Sequence, residues 1–307
     1  VKIWVGVTDK AWFDHLATRA PEEVNFWQPS GRTTFRAIPP GAPFLFKLHA
    51  PHHAIAGGGW FVRSTALPAS LAWQAFGEGN GVAGLARLIA RVRRYARAEV
   101  GPDPVIGCNL LATPFFLPED EWIPAPPDWA PNIVRGKTYD TGEIAGRRLW
   151  EAVQARMPAP PLDDLGNGYA AERPRFGAEF LARARLGQGT FRVLVTDAYH
   201  RRCAVTGERT LPALEAAHIR AHRAAGPNRV SNGLLLRSDL HRLFDTGLVT
   251  VDPDLRFVVS GRIREDYENG REYYRYHGRR LANLPEAPGE RPSREFLDWH
   301  NREVFAG

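Results

Sequence analysis

Between residues 2 and 62 short strand-like apolar runs alternate with turn residues. KIWVGVT at 2–8 alternates, PFLFKLH at 43–49 follows the turn PPGA, and GGGWFV at 57–62 follows PHHAIA. Such runs bounded by Pro and Gly are strand signals, so these segments are expected to share one sheet. The spacing then becomes helical in SLAWQAF at 70–76 and in LARLIARVRRYARAEV at 85–100, where Leu85, Leu88, Ile89 and Val92 form an apolar stripe. VIGCNLLATPFFLPEDEWI at 105–123 reads as two further strands around Pro114, and GEIAGRRLWEAVQARM as a helix to about Met157.

PAPPLDDLGNGYAAERPRFG interrupts this pattern with four prolines and little apolar content, marking a linker over 158–175 between domains at 1–157 and 176–307. The second half opens with a helical lead-in, FGAEFLARA, a break at Gly187–Gly189, a helix from Thr190 and a tight knuckle at CAVTG. LEAAHIRAH at 214–222 is expected as a strand, VSNGLLLR as a loop and second strand, and SDLHRLFDTG as a helix. Ser238 is its expected N-cap and Gly247 its C′ residue. LVTVDPDLRFVVS follows as a hairpin around DPD. The fold class is α+β: a mostly antiparallel, curved N-terminal sheet with flanking helices, a linker, and a C-terminal ββα unit.

Composition narrows the setting. With 307 residues, 44% of them hydrophobic, the chain can bury two cores. Cys108 and Cys203 lie far apart and no CxxC occurs, so no disulfide framework and no structural zinc are expected, and Cys203 with His200 does not make a zinc site unaided. This usage reads as a reducing, cytoplasmic compartment. The apolar run at 105–117 is too short for a bilayer, and VKIWVGVTD reads as a strand rather than a signal peptide. Net charge is +6, and 36 of the 40 basic residues are arginine. Arg87, Arg91, Arg93, Arg94 and Arg97 crowd one helix, either as a solvated face or as phosphate contacts that position a duplex without reading it.

The chemistry concentrates at AAHIRAH…VSNGLLLRSDLHRLFDTG. His218 is followed after fourteen residues by Asn232, and nine further on by His241, with Asp245 one turn below. A strand histidine, a loop asparagine and a helix histidine ahead of a hairpin closely resemble the HNH, or ββα-metal, endonucleases of bacterial restriction systems. The resemblance implies phosphodiester hydrolysis, which needs a base for water and a cation for the charge on the phosphorane and leaving oxygen. His218, on a strand facing the helix, fits the base. His241 and Asp245, at i and i+4, are the expected ligands of one divalent ion, magnesium first, with manganese, cobalt or nickel as alternatives. Asn232 would orient the loop. Many members of this family carry a ligand immediately before the base, where this chain has Ala217; Glu215, on the same strand face as Ala217, is the candidate substitute or a plain edge carboxylate. Arg220 is a further candidate phosphate contact, and His222 a weaker one.

The N-terminal stretch VNFWQPSGRTTFRAIPPGAPFLFKLHAPHHAIAGGGWFV is similar in layout to the PUA superfamily, especially its EVE readers. That resemblance implies a pocket for a base flipped from its stack, with Trp27, Trp60 and Trp73 as candidate walls and Asn25 as a contact to the base edge. Together the two resemblances imply a modification-dependent endonuclease acting on double-stranded DNA that carries 5-methylcytosine or 5-hydroxymethylcytosine. Cutting both strands would favour a homodimer. Two alternatives stay open: an HNH restriction enzyme for an unmodified sequence, and a non-catalytic protein that binds modified nucleic acid.

Overall fold

The computed structural model describes residues 1–32, 34–96, 99–158, 186–221, 224 and 226–307. It divides into two compact units, Val1–Arg185 and Leu186–Gly307. Apart from Pro158, the expected linker and the lead-in helix FGAEFLARA lie outside the described residues, as do Arg97 and His222.

The first unit is built on strands β1 (Lys2–Thr8), β2 (Glu23–Gln28), β3 (Pro43–Leu48), β4 (Ala54–Pro68), β5 (Val105–Phe116), β6 (Ile123–Pro124) and β7 (Gly136–Asp140). They form one sheet in the order β2-β5-β4-β3-β1-β7, with β6 paired to β4. Every pairing is antiparallel except β1 with β3. Around the sheet run helices α1 (Lys10–Arg19), α2 (Ala69–Phe76), α3 (Leu85–Tyr95) and α4 (Ile144–Gln154). PFLFKL lacks alternation because both of its faces are covered. Phe44, Phe46 and Leu48 pack with Trp12, Phe13 and Leu16 of α1, while Leu45 packs with Leu149, Trp150 and Val153 of α4.

The expected pair of strands around Pro114 is a single strand, β5. The reason is a bulge: Ala112 pairs with Trp60 and Phe115 with Gly58, so Thr113 and Pro114 sit opposite one residue, and Thr113 takes φ +45°. A residue without an N–H is accommodated where the ladder is already interrupted.

The second unit contains α5 (Gln188–Ala198), β8 (Leu214–His218), β9 (Gly233–Arg237), α6 (Ser238–Asp245), β10 (Val249–Val251), β11 (Phe257–Val259), α7 (Arg262–Tyr267), α8 (Arg271–Tyr274) and α9 (Arg294–Glu303). β8 pairs with β9 and β10 with β11 as two antiparallel ladders. The strand expected over 214–222 ends at His218. Ser238 begins α6 as its first helical residue; Arg237 stands at the cap position and contributes no side-chain cap. Gly247 behaves as a C′ residue, with φ +73° and space so tight that a Cβ would lie 2.0 Å from the carbonyl oxygen of Val304. One apolar cluster, including Phe191, Val195, Tyr199, Leu234, Leu240, Phe244 and Phe257, joins α5, the β8–β9 hairpin, α6 and the following hairpin. No helix among the described residues is long and apolar enough to cross a membrane.

Candidate active site

Leu240 and Phe244 bury one side of α6 in this cluster, which leaves His241 and Asp245 on the side that meets β8. Nε2 of His241 lies 3.3 Å from Oδ2 of Asp245, and Nδ1 lies 2.7 Å from Oε2 of Glu215. One imidazole therefore faces a carboxylate at each nitrogen. The start of the helix is held by two 2.7 Å contacts from Arg237 to Asp239. Hydrogen bonding from that guanidinium holds the Asp239 carboxyl below the ordinary aspartate range. A carboxylate in the first turn also opposes the positive end of the helix dipole.

His218 stands apart from that group. Sequence reasoning set it facing the 238–245 helix; the strand register turns it the other way. Side chains alternate along a strand, so Glu215 and Ala217 share one face of β8, and Leu214, Ala216 and His218 share the other. Glu215 meets α6, whereas the His218 ring stacks on Phe191 of α5 with centroids 3.9 Å apart and planes at 13°. Its register partner Gly233 is on that same face, where a Cβ would come within 2.5 Å of Val195 Cγ2. The hairpin thus lies between α5 and α6, with the expected base on one side and the expected ligands on the other.

Asn228, which the sequence reading passed over, defines the state of His218. Its Nδ2 donates to the carbonyl oxygen of Leu186, so its Oδ1 is the acceptor presented to His218 Nε2 at 2.8 Å. Nε2 therefore carries a hydrogen and donates it to Asn228. The signal was its position in PNRVSNG, in the turn between the two strands.

Asn232 is fully buried and spans the loop between the strands. Oδ1 accepts from the Arg220 amide at 2.9 Å, and Nδ2 donates to the carbonyl oxygens of Arg220 and Pro227 at 3.0 Å each. The Arg220 side chain folds back, donating from Nε to Ala224 O and lying 5.7 Å over the Trp299 ring.

The expected base-reading residues are placed differently from the sequence reading. Trp27 is in β2 rather than in a turn, and its indole N–H donates to Asn80 O at 2.9 Å. Asn25 is fully buried; its Nδ2 donates to Asn80 Oδ1 at 2.9 Å and contacts Cys108 Sγ at 3.4 Å. Register puts Asn25, Trp27 and Trp60 on the sheet face of Leu110, Cys108 and Ala112. Trp60 packs near Phe115, and Trp73 lies on α2. A cleft of about 380 Å³ lies elsewhere, lined by Lys2, Phe35, Arg36, Phe61, Arg63 and Ser64 among others. Phe35 is pinned there by a hydrogen bond from its backbone N–H to Ser64 Oγ and by edge contact with Phe61 at 5.2 Å. Arg91 does not stand free for phosphate: it pairs with Asp9, the N-cap of α1, at 2.8 Å. Arg94 is exposed and lies 5.9 Å from the Tyr95 ring.

Residues 203–252, which carry this hairpin and helix, match the family model described as HNH endonuclease. This segment is an HNH endonuclease domain. No curated protein matches the chain significantly. Among solved structures, a tyrosine-to-phenylalanine mutant of the ASCH protein from Zymomonas mobilis aligns at 10% identity with TM-score 0.31, over 48% of this chain and 96% of that one. The modification-dependent TagI restriction endonuclease aligns at 13% identity with TM-score 0.27, over 92% of this chain and 75% of that one.

HNH endonucleases generally use a divalent metal ion. In this HNH domain the available donors are an imidazole and a carboxylate one turn apart on α6, a set suited to a divalent cation that keeps water in its shell. Among the described residues no group of three or more His, Cys, Asp or Glu is arranged as a metal cage. His241 and Asp245 are two donors that such an ion could share, its remaining positions being open to solvent and substrate.

Proposed function

We propose that the protein is a DNA endonuclease whose N-terminal unit selects modified cytosine, 5-methyl or 5-hydroxymethyl, and whose HNH domain hydrolyses the phosphodiester. The observation that carries the hydrolytic half is the coincidence of the HNH match with a hairpin and helix bearing His218, Asn232, His241 and Asp245. Support for the reading half is the layout shared with EVE readers and a cleft combining Lys2, Arg36 and Arg63 with Phe35, the pairing of cation and ring that nucleic acid binding uses. The proposed organisation is a reader at 1–157, a linker at 158–175 and a nuclease at 176–307, working in the cytoplasm. A homodimer would supply the second active site that cutting both strands requires.

His218 takes the proton of the attacking water while Asn228, bonded to Nε2, fixes the orientation of the ring. Asn232 keeps the end of β8 in place by holding the loop that follows it. His241 and Asp245 would hold the divalent ion, magnesium in the first instance, which would supply positive charge towards the phosphorane and leaving oxygen. Among the described residues β8 pairs with β9 alone, and a phosphate laid across its other edge would meet both faces of the hairpin.

The test is digestion of matched duplexes carrying cytosine, 5-methylcytosine, 5-hydroxymethylcytosine or glucosylated cytosine with magnesium present. Cutting restricted to modified duplexes, and abolished by His218→Ala, is the expected result. Equal cutting of every duplex overturns the reader, and no cutting of any overturns the nuclease.

A further inference from the structure

Glu215 occupies the strand face on which related nucleases carry a metal ligand, yet its geometry differs from that of a ligand. The two nitrogens of the His241 ring point in divergent directions, so one ion cannot be bound by both. Nε2 faces Asp245 at 3.3 Å and Nδ1 faces Glu215 at 2.7 Å. Two donors each about 2.1 Å from a common ion are about 3.0 Å apart at a right angle and about 3.4 Å apart at a tetrahedral angle. The Asp245 spacing falls in that interval. The Glu215 spacing falls below it and matches a charge-assisted N–H···O hydrogen bond of about 2.7–2.9 Å. Exposure points the same way: the Asp245 side chain is 59% exposed and the Glu215 side chain 39%, so the Nε2 side is the more open to water and phosphate oxygens.

We propose that Glu215 is a positioning residue: its carboxylate accepts the Nδ1–H of His241 and so presents the Nε2 lone pair to the ion shared with Asp245. This rests on the reading of His241 and Asp245 as ligands. It accounts for Ala217, since the strand contributes an anchor for the histidine rather than a donor to the ion. A histidine held at its second nitrogen by a carboxylate has both its tautomer and its ring orientation fixed before the ion arrives.

The experiment is calorimetric titration of the full chain with manganese chloride, without DNA, for the wild type and the variants Glu215→Ala, Glu215→Gln and Asp245→Ala, with circular dichroism checking each fold. Glu215→Ala is expected to weaken manganese binding by about 10–100-fold. Glu215→Gln keeps an oxygen that accepts the Nδ1–H and is expected to restore affinity to near wild type. A Gln variant as weak as the Ala variant makes Glu215 a ligand and overturns the proposal. So does an unchanged Ala variant beside a weakened Asp245→Ala, and that result leaves the His241–Asp245 site standing. Affinity unaffected by Asp245→Ala removes the site itself and the proposal with it.

Discussion

Replacing Asn232 with alanine is the perturbation that most directly probes how the end of β8 is held. The side chain is fully buried and makes three hydrogen bonds, one accepted from the Arg220 amide and two donated to the carbonyl oxygens of Arg220 and Pro227. Alanine leaves one donor and two acceptors without that partner. At about 1 kcal/mol for each bond the loss is about 3 kcal/mol, and it grows where water cannot enter. Backbone bonds from Ile219 N to Asn232 O and from Asn232 N to Arg229 O remain, so the strand pairing survives and the cost falls on the loop. Aspartate is a sharper test, because it preserves the acceptor for Arg220 and sets an oxygen against two carbonyl oxygens. Guanidinium denaturation is expected to rank wild type above Asn232→Ala and Asn232→Ala above Asn232→Asp, with the Arg220 amide losing protection from hydrogen exchange in Ala. A cost below about 1 kcal/mol for Ala, or an Asp variant as stable as Ala, refutes the assignment of Asn232 to holding this loop.

Burial drives the His300 pKa down to about 4, against the raising effect of its bond to Phe244 O, and the ring also bonds Thr250 and stacks on Phe244 of α6 at 3.7 Å. The unfolded chain, titrating near 6.5, takes up this proton first, so His300 contributes its full stabilisation above pH 6.5 and loses it as pH falls towards 4, about 3 kcal/mol in all. Denaturation midpoints measured from pH 7 to 5 should slope accordingly in the wild type and lose that slope in His300→Gln; equal slopes in both contradict this. His218→Ala should abolish DNA cleavage while leaving manganese affinity within about twofold, because His218 is on the hairpin face away from His241. Removing charge from the N-terminal cleft in Lys2→Ala/Arg36→Ala should reduce the slope of log K against log salt by up to about 2 in DNA-binding titrations, and an unchanged slope places the phosphate contacts elsewhere. Arg91→Ala should cost about 1 kcal/mol in thermal unfolding with little change in DNA affinity, since its partner is Asp9.

What was legible in the chain was whatever local pattern determines. β1 and α3 were read from periodicity because one strand face or helix stripe is enough to identify them, and β3 from its apolar run after the turn PPGA. Pro114 was misread because a lone proline signals the end of a strand unless a bulge absorbs it, and a bulge is specified by the partner strand. Trp27 and Asn25 were read from their polar neighbourhood; the residue that claims both, Asn80, lies more than fifty positions downstream. Asn228 and Phe191 were missed for a related reason, since their partnership with His218 is set by the loop and by α5 rather than by spacing along β8.

The orientation of His218, by contrast, was implicit in the sequence. Once Glu215 and Ala217 are assigned to one face of a strand, period-two geometry sends residue 218 to the other, whatever it packs against. Placing His218 and the 238–245 helix on one side while placing Glu215 there too was therefore inconsistent, and the stack on Phe191 resolves it. The resulting arrangement separates two electrostatic demands. His218 is set between the Phe191 ring and the Asn228 oxygen, whereas Glu215 and Asp245 bring two carboxylates to His241. The hairpin backbone lies between the two sets of side chains, so neither environment compromises the other.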